Sequence, residues 1–214
     1  CIIDSHYIDR VKVPTAANLA FGSAFHNTVE HYLSDRHSGQ PVDLPALWRE
    51  SWGHQQEQEI AWNGSSADEL TAQGENMVTA KIEVNGTKFT NLASFLDSLD
   101  LAIDSHSDAL RMEERVTLNV PGLDVPVIGY VDMVARDGVP CDFKTAARAW
   151  DPNKADSELQ PTFYLAALNQ SGQPISKFRY YVFTKGKTPK VQVLETTRTA
   201  SDMFWLLAAL AETW

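Results

Sequence analysis

The sequence is short of several things, and each shortage excludes something. Only two cysteines, Cys1 and Cys141, occur in 214 residues. That is too few for a disulfide framework and fits a reducing compartment, so the expected location is the cytoplasm. No window approaches about 18 uninterrupted apolar residues, so no membrane-spanning helix is expected. The first ten residues, CIIDSHYIDR, lack the basic-then-apolar layout of a secretory signal. They also lack a methionine, so the chain reads as a fragment or a trimmed form. Positive charge is scarce: 18 Lys and Arg against 28 Asp and Glu leave a net −10, which argues against a generic basic nucleic-acid binder.

What is present is ordinary in amount and uneven in place. At 43% apolar and 21% charged residues, the chain can bury one sizeable core, as one domain with a large insertion. Residues 141–198 hold nine Lys and Arg (Lys144, Arg148, Lys154, Lys177, Arg179, Lys185, Lys187, Lys190, Arg198) against five Asp and Glu. That segment is +4, so the remainder is −14.

Periodicity divides the chain into two styles. Phe25, Val29, Tyr32 and Leu33 recur at helical spacing and predict a helix from about Ser23 to Ser34. After the loop signal SGQPVDLP, helical patterns follow in LPALWRESWGHQQEQEIAW and ADELTAQGENMVTAKIEV, then a turn at VNGTKF and a helix around Leu92 to Leu101. This acidic middle, about 40–108, is expected to be a helical insertion with no assignable chemistry. From Glu113 the period becomes two: RVTLNV, then two runs within PVIGYVDMVARDGVPCDFKTAARAW, and later SKFRYYVFTK and KVQVLETT. Helices are expected at SELQPTFYLAALNQSG and ASDMFWLLAALAETW. The order implies an α/β or α+β fold, a central mixed β-sheet flanked by helices.

Two aspartates sit inside the paired runs, and their register can be argued. A two-residue loop, Asp137-Gly138, would put Asp132 and Asp142 on opposite faces. A three-residue loop, Arg136-Asp137-Gly138, pairs Ala135 with Val139 and sets Asp132 directly across from Asp142. Such loops close on a left-handed third residue, which Gly138 accepts without steric cost, so the second register is favoured. The carboxylates then have Cβ atoms roughly 4.5–5.5 Å apart, with Lys144 on the same face as Asp142. Like charges that close destabilise a sheet unless something positive lies between them. A divalent cation with oxygen ligands satisfies this and leaves room for water and phosphate. With a lysine beside it, the constellation suits phosphodiester hydrolysis. The plainer reading is two solvated strand-end aspartates with Lys144 as a salt-bridge partner.

The other pieces are weak alone. His26 follows Gly22 on the first helix, and taken alone it reads as a packed or solvated histidine more readily than as a ligand. Gln160 and Tyr164 share a helix face. Gln160, three residues after Ser157, resembles a capping-box partner, and its place in the first turn would also suit phosphate. Cys141 faces away from Asp142 and reads as a small core residue. The six tryptophans form no stacking ladder of the single-strand-binding kind.

Taken in order, AFGSAFHNTVEHYL, VIGYVDMV, PCDFKT and QPTFY resemble the successive motifs of RecB-type nucleases in the PD-(D/E)XK superfamily. Those motifs are Gly-x-x-x-His on a helix, Gly-x-x-Asp on a strand, Asp-x-Lys on the next strand and Gln-x-x-x-Tyr on the following helix. The resemblance covers about 1–33 and 113–185. It implies a restriction-endonuclease-like core in which His26, Asp132, Asp142 and the backbone carbonyl of Phe143 bind Mg2+ or Mn2+. It makes Lys144 the catalytic lysine, acting with Asp132 and Asp142, while Gln160 and Tyr164 orient the site and contact the nucleic acid. Some relatives, CRISPR-associated or helicase-linked, hold an iron–sulfur cluster on four cysteines, one before the first motif and three after the last helix. Cys1 matches the first position, but no cysteine follows Cys141, and four thiolates are needed. The chain as given completes no such cluster, and its end inside an apolar helix suggests truncation.

The expectation is therefore a metal-dependent DNA nuclease, exonuclease by family habit, in one RecB-like domain over 1–214. DNA is its partner, with a helicase, recombinase or CRISPR protein as companions of the family and no membrane. Lys154, Lys185, Lys187 and Lys190 are expected as phosphate contacts. Two rivals stand beside it: a catalytically silent nuclease-like module that binds DNA or a partner, and a structural domain docking through the acidic middle.

Overall fold

The computed structural model describes residues 13–213; Cys1, the position matched to a cluster ligand, lies outside them. A two-residue parallel pair joins β1 (Thr15–Ala16) to β2 (Ile60–Ala61). Between them run α1 (Ala17–His37) and α2 (Leu44–Gln56), and after them α3 (Ala67–Thr79). The first helix is longer at both ends than its expected Ser23–Ser34. Its buried residues Ala17, Ala20, Phe21, Ala24, Phe25, Thr28, Val29, Tyr32 and Leu33 keep helical spacing throughout, so one continuous stripe faces the core.

The middle of the chain differs from its expected all-helical character. β3 (Ile82–Val84) and β4 (Thr87–Phe89) form a hairpin around Asn85 and Gly86, and β3 pairs in parallel with a later strand. Strands of three residues carry too little periodicity to declare themselves. The following helix, α4 (Leu92–Leu96), ends five residues before its expected Leu101. Trp48, Trp52, Leu70, Met77, Ile82, Leu92 and Phe95 share a single core cluster with α1, so the acidic middle is packed into the body of the protein.

The remaining elements are β5 (Met112–Leu118), β6 (Val127–Val134), β7 (Pro140–Ala146), α5 (Lys154–Ser157), α6 (Gln160–Gln170), β8 (Lys177–Thr184), β9 (Lys190–Thr197) and α7 (Ala200–Thr213). The mixed seven-stranded sheet has the order β4-β3-β9-β8-β7-β6-β5. Its two faces build separate cores. Cys141, Phe143, Tyr181 and Phe183 pack with α1 to α4, while Val131, Phe178, Tyr180 and Val182 pack with α6 and α7. Cys141 is a fully buried core residue, as its facing predicts.

The register that places the aspartates is the three-residue one. Met133 pairs with Cys141 and Val134 with Pro140. Ala135 N–H donates to the Val139 carbonyl at 3.0 Å and Gly138 N–H to the Ala135 carbonyl at 2.8 Å. Gly138 has φ of 80°, the left-handed closing residue the loop requires. One step from the last pair, Asp132 stands level with Asp142, and there the ladder stops. β6 continues with β5 from Met112↔Met133 to Leu118↔Val127, and β7 continues with β8 from Cys141↔Arg179 to Ala146↔Thr184. The hairpin is zipped at its turn and open at its far end.

Candidate active site

The opened hairpin frees backbone groups that a ladder would have used. The Phe143 N–H donates to Asp132 Oδ2 at 2.7 Å. A residue's N–H and C=O leave the same edge of a strand, so the Phe143 carbonyl looks into the same gap. Asp132 is 8% exposed and Asp142 1%. α1 brings His26 over them, with Nδ1 3.4 Å from Asp132 Oδ2. Lys144 Nζ lies 2.8 Å from Oδ1 and 2.7 Å from Oδ2 of Asp142. From α6, Gln160 Nε2 donates to Asp142 Oδ1 at 2.6 Å. Tyr164 donates its hydroxyl to the Tyr130 carbonyl at 2.6 Å, and Tyr180 donates to Gln160 Oε1 at 3.4 Å, so the amide is held from two sides.

This arrangement corrects one expectation. Ser157 and Gln160 form no capping box: Ser157 Oγ donates back to the Lys154 carbonyl, and α6 starts without a side-chain cap. Gln160 is spent on Asp142. Gly129, two residues before Val131 on β6, is fixed by packing. A Cβ there would lie 2.5 Å from Phe163 Cε1 and 3.0 Å from Tyr164 Cε1, so α6 can rest on β6 only over a bare backbone.

Electrostatics make the pocket short of positive charge. Burial, and then the charge of Asp142, push Asp132 up to about 7 against the pull of His26 and the Phe143 N–H. Burial also raises Asp142, although Lys144 and Gln160 oppose it. Burial lowers His26, but Asp132 and Glu113 more than offset this and leave it raised. Asp142 Oδ2 has Lys144 as its ion-pair partner but accepts no well-formed hydrogen bond among the described residues. Two buried carboxylates beside an imidazole nitrogen and a carbonyl form a donor set that suits a hard divalent cation.

Glu113 is the site residue that sequence reasoning missed. It lies across from Asp132, between the pairs Met112↔Met133 and Glu114↔Val131. Its φ is 47°, a left-handed backbone that costs a non-glycine residue about 1–3 kcal/mol. The twist turns its carboxylate onto α1, where Oε1 meets His26 Nε2 at 2.8 Å. Glu30 completes a group of three with His26 and Glu113 whose ligand atoms lie within 4.8 Å of one another. In an alternating strand Glu113 looks like any outward polar residue, so no sequence signal marked it.

The four expected phosphate-contact lysines have different surroundings. Lys154 pairs with Glu158 at 2.5 Å and sits 4.8 Å over the Trp150 ring. Lys190 lies 3.4 Å from Glu83. Lys187 is exposed and makes no ion pair among the described residues. Lys185 lines a cleft with His26 and Lys144. Arg198, counted in the basic segment, is 7% exposed. It donates to the carbonyls of Ala155, Asp156 and Glu158 and to the Thr162 hydroxyl, a brace for the approach to α6.

The fold and this cluster define a nuclease core, and the comparisons with known proteins agree. The profile of the PD-(D/E)XK nuclease superfamily matches residues 5–213, so the chain belongs to that superfamily, whose nucleases use divalent metals. Among solved structures it is similar to a protein from Eubacterium rectale whose description assigns it provisionally as an exonuclease. The TM-score is 0.54 at 12% identity, over 97% of this chain and 68% of that one, and the likeness speaks to a shared restriction-endonuclease-like fold. No curated protein matches the chain.

Proposed function

We propose that the chain is a RecB-like, divalent-cation-dependent deoxyribonuclease that hydrolyses phosphodiester bonds, acting from DNA ends as an exonuclease. The observation that supports this best is the open end of the β6–β7 hairpin. There two buried carboxylates stand level, with His26 and Lys144 converging on them.

His26, Asp132, Asp142 and the Phe143 carbonyl would hold Mg2+ or Mn2+. Once bound, the cation supplies Lewis-acid polarisation of a phosphate oxygen and a water of lowered pKa. The chain's own groups do the rest. Lys144, its side chain 34% exposed, reaches from Asp142 to solvent, where its ammonium can hold the charge developing on the phosphoryl oxygens and orient the attacking water. Gln160, fixed by Tyr180, keeps Asp142 in one rotamer, and Tyr164 ties α6 to β6 through the Tyr130 carbonyl. Glu113 sits 2.8 Å from His26 Nε2 and can accept a hydrogen bond from it, so that with the cation bound the Nδ1 of the neutral ring would face Asp132 and the gap. It is a positioning residue.

The test is cleavage of 5′- and 3′-labelled oligonucleotides with and without Mg2+. Wild type is expected to shorten DNA stepwise only with the cation, and Asp142→Ala and Lys144→Ala to be slower by roughly 10³-fold or more. Equal products from all three proteins, or none from wild type, would leave a silent binding module instead.

A further inference from the structure

Two glycines belong to the motifs beside the carboxylates, and packing explains only one. Gly129 is bare because α6 rests on it. Gly22 is not so constrained: it sits inside α1, and among the described residues a Cβ would meet only Thr145 Oγ1 at 3.5 Å, an ordinary contact. A glycine within a helix weakens it relative to alanine, and no packing among the described residues requires one here. What Gly22 faces is a cleft of about 550 Å³ that also takes in Ser23, His26, Asn27, Lys144, Thr145 and Lys185.

Lys185 gives that cleft its character. Its ammonium lies 4.0 Å from the centre of the Phe21 ring, and among the described residues it has no carboxylate partner. Burial lowers its pKa. The turn that carries it is clamped. Lys185 N–H donates to the Ala146 carbonyl at 2.8 Å, Gln73 Nε2 donates to the Lys185 carbonyl at 3.0 Å and Asn76 Nδ2 to the Gly186 carbonyl at 3.1 Å. A cation carried on a clamped turn, partly desolvated and with no carboxylate partner among the described residues, is completed by an anion. Lys154 and Lys190 already have theirs.

We propose that this cleft seats the nucleotide adjoining the scissile phosphate, with Lys185 on that nucleotide's phosphate and its sugar lying against the bare backbone at Gly22. The volume suits one small ligand, and Ser23, Asn27 and Thr145 offer hydroxyl and amide groups to a sugar–phosphate edge. The inference rests on the nuclease reading above, because the cleft abuts His26 and Lys144.

The experiment is fluorescence anisotropy of a labelled single-stranded oligonucleotide, with Ca2+ in place of Mg2+ so that the strand stays whole. The variants are Gly22→Ala, Gly22→Leu and Lys185→Met, each with a thermal midpoint. Gly22→Ala is expected to fold at least as stably as wild type yet bind about tenfold more weakly or worse. Gly22→Leu should bind more weakly still, and both should keep the wild-type salt dependence. Lys185→Met should weaken binding and reduce the slope of log K against log salt by about 0.7. If wild type binds and all three variants bind equally well with the same slope, the cleft is not the seat. If wild type binds no DNA at any salt concentration, the nuclease reading fails and this inference fails with it.

Discussion

The two ends of one hairpin hold their acids differently. At the turn, Asp137 lies 3.1 Å from Arg179, and Glu195 lies 2.7 Å from Arg179 and 3.2 Å from Lys177. Burial nudges Asp137 upward, but the Val139 N–H and Arg179 hold it below the usual carboxylate range. Arg179 does the same for Glu195. At the open end, some five residues along each strand, Asp132 and Asp142 are raised. Acids satisfied within the chain act as struts. Acids raised by burial, and buried despite the cost, are those the proposed cation would neutralise.

The largest effect is expected at Glu113. If it fixes the imidazole, Glu113→Ala should weaken Mn2+ binding, measured calorimetrically, by roughly 10–100-fold. Glu113→Gln, which retains an acceptor oxygen for His26 Nε2, should keep most of the affinity. Wild-type affinity in the alanine variant would reduce Glu113 to a surface strut.

A smaller effect sharpens the contrast through pH. Asp132, raised to about 7, binds its proton more tightly folded than unfolded. The metal-free protein should therefore lose stability as pH rises from about 4 to 7, and raised His26 adds in the same sense. The turn end runs the opposite way: Asp137 and Glu195 are lowered, so their contribution is present above ordinary carboxylate values and lost as pH falls through the lowered ones. Thermal midpoints across this range should flatten on the neutral side in Asp132→Asn. Arg179→Met should lose the acid-side dependence and about 1–2 kcal/mol near neutrality. Identical profiles for both variants would remove the distinction between the ends.

What the sequence made legible follows from the range of each interaction. The register of Asp132 and Asp142 was readable because a single residue type, Gly138, decides the loop, and everything beyond it counts off in steps of one. Cys141 could be placed in the core by the same count. The β3–β4 hairpin was not readable, since its strands are too short for a period and its place in the sheet comes from β9, more than a hundred residues on. A count over the basic segment could not show the surroundings of each charge: Lys190 finds Glu83 from a distant strand, and Arg198 is buried among carbonyls. Gln160 had two local futures, and contact with Asp142 chose between them. Glu113 carries its meaning in a backbone angle that only the opposed strand and α1 impose.

The most direct test is a crystal grown or soaked with Mn2+ and measured for anomalous scattering. One strong peak is expected at the open end of the hairpin, within about 2–2.5 Å of an oxygen from each of Asp132 and Asp142. A peak only among the exposed acids, or none in the gap between those two side chains, would contradict it.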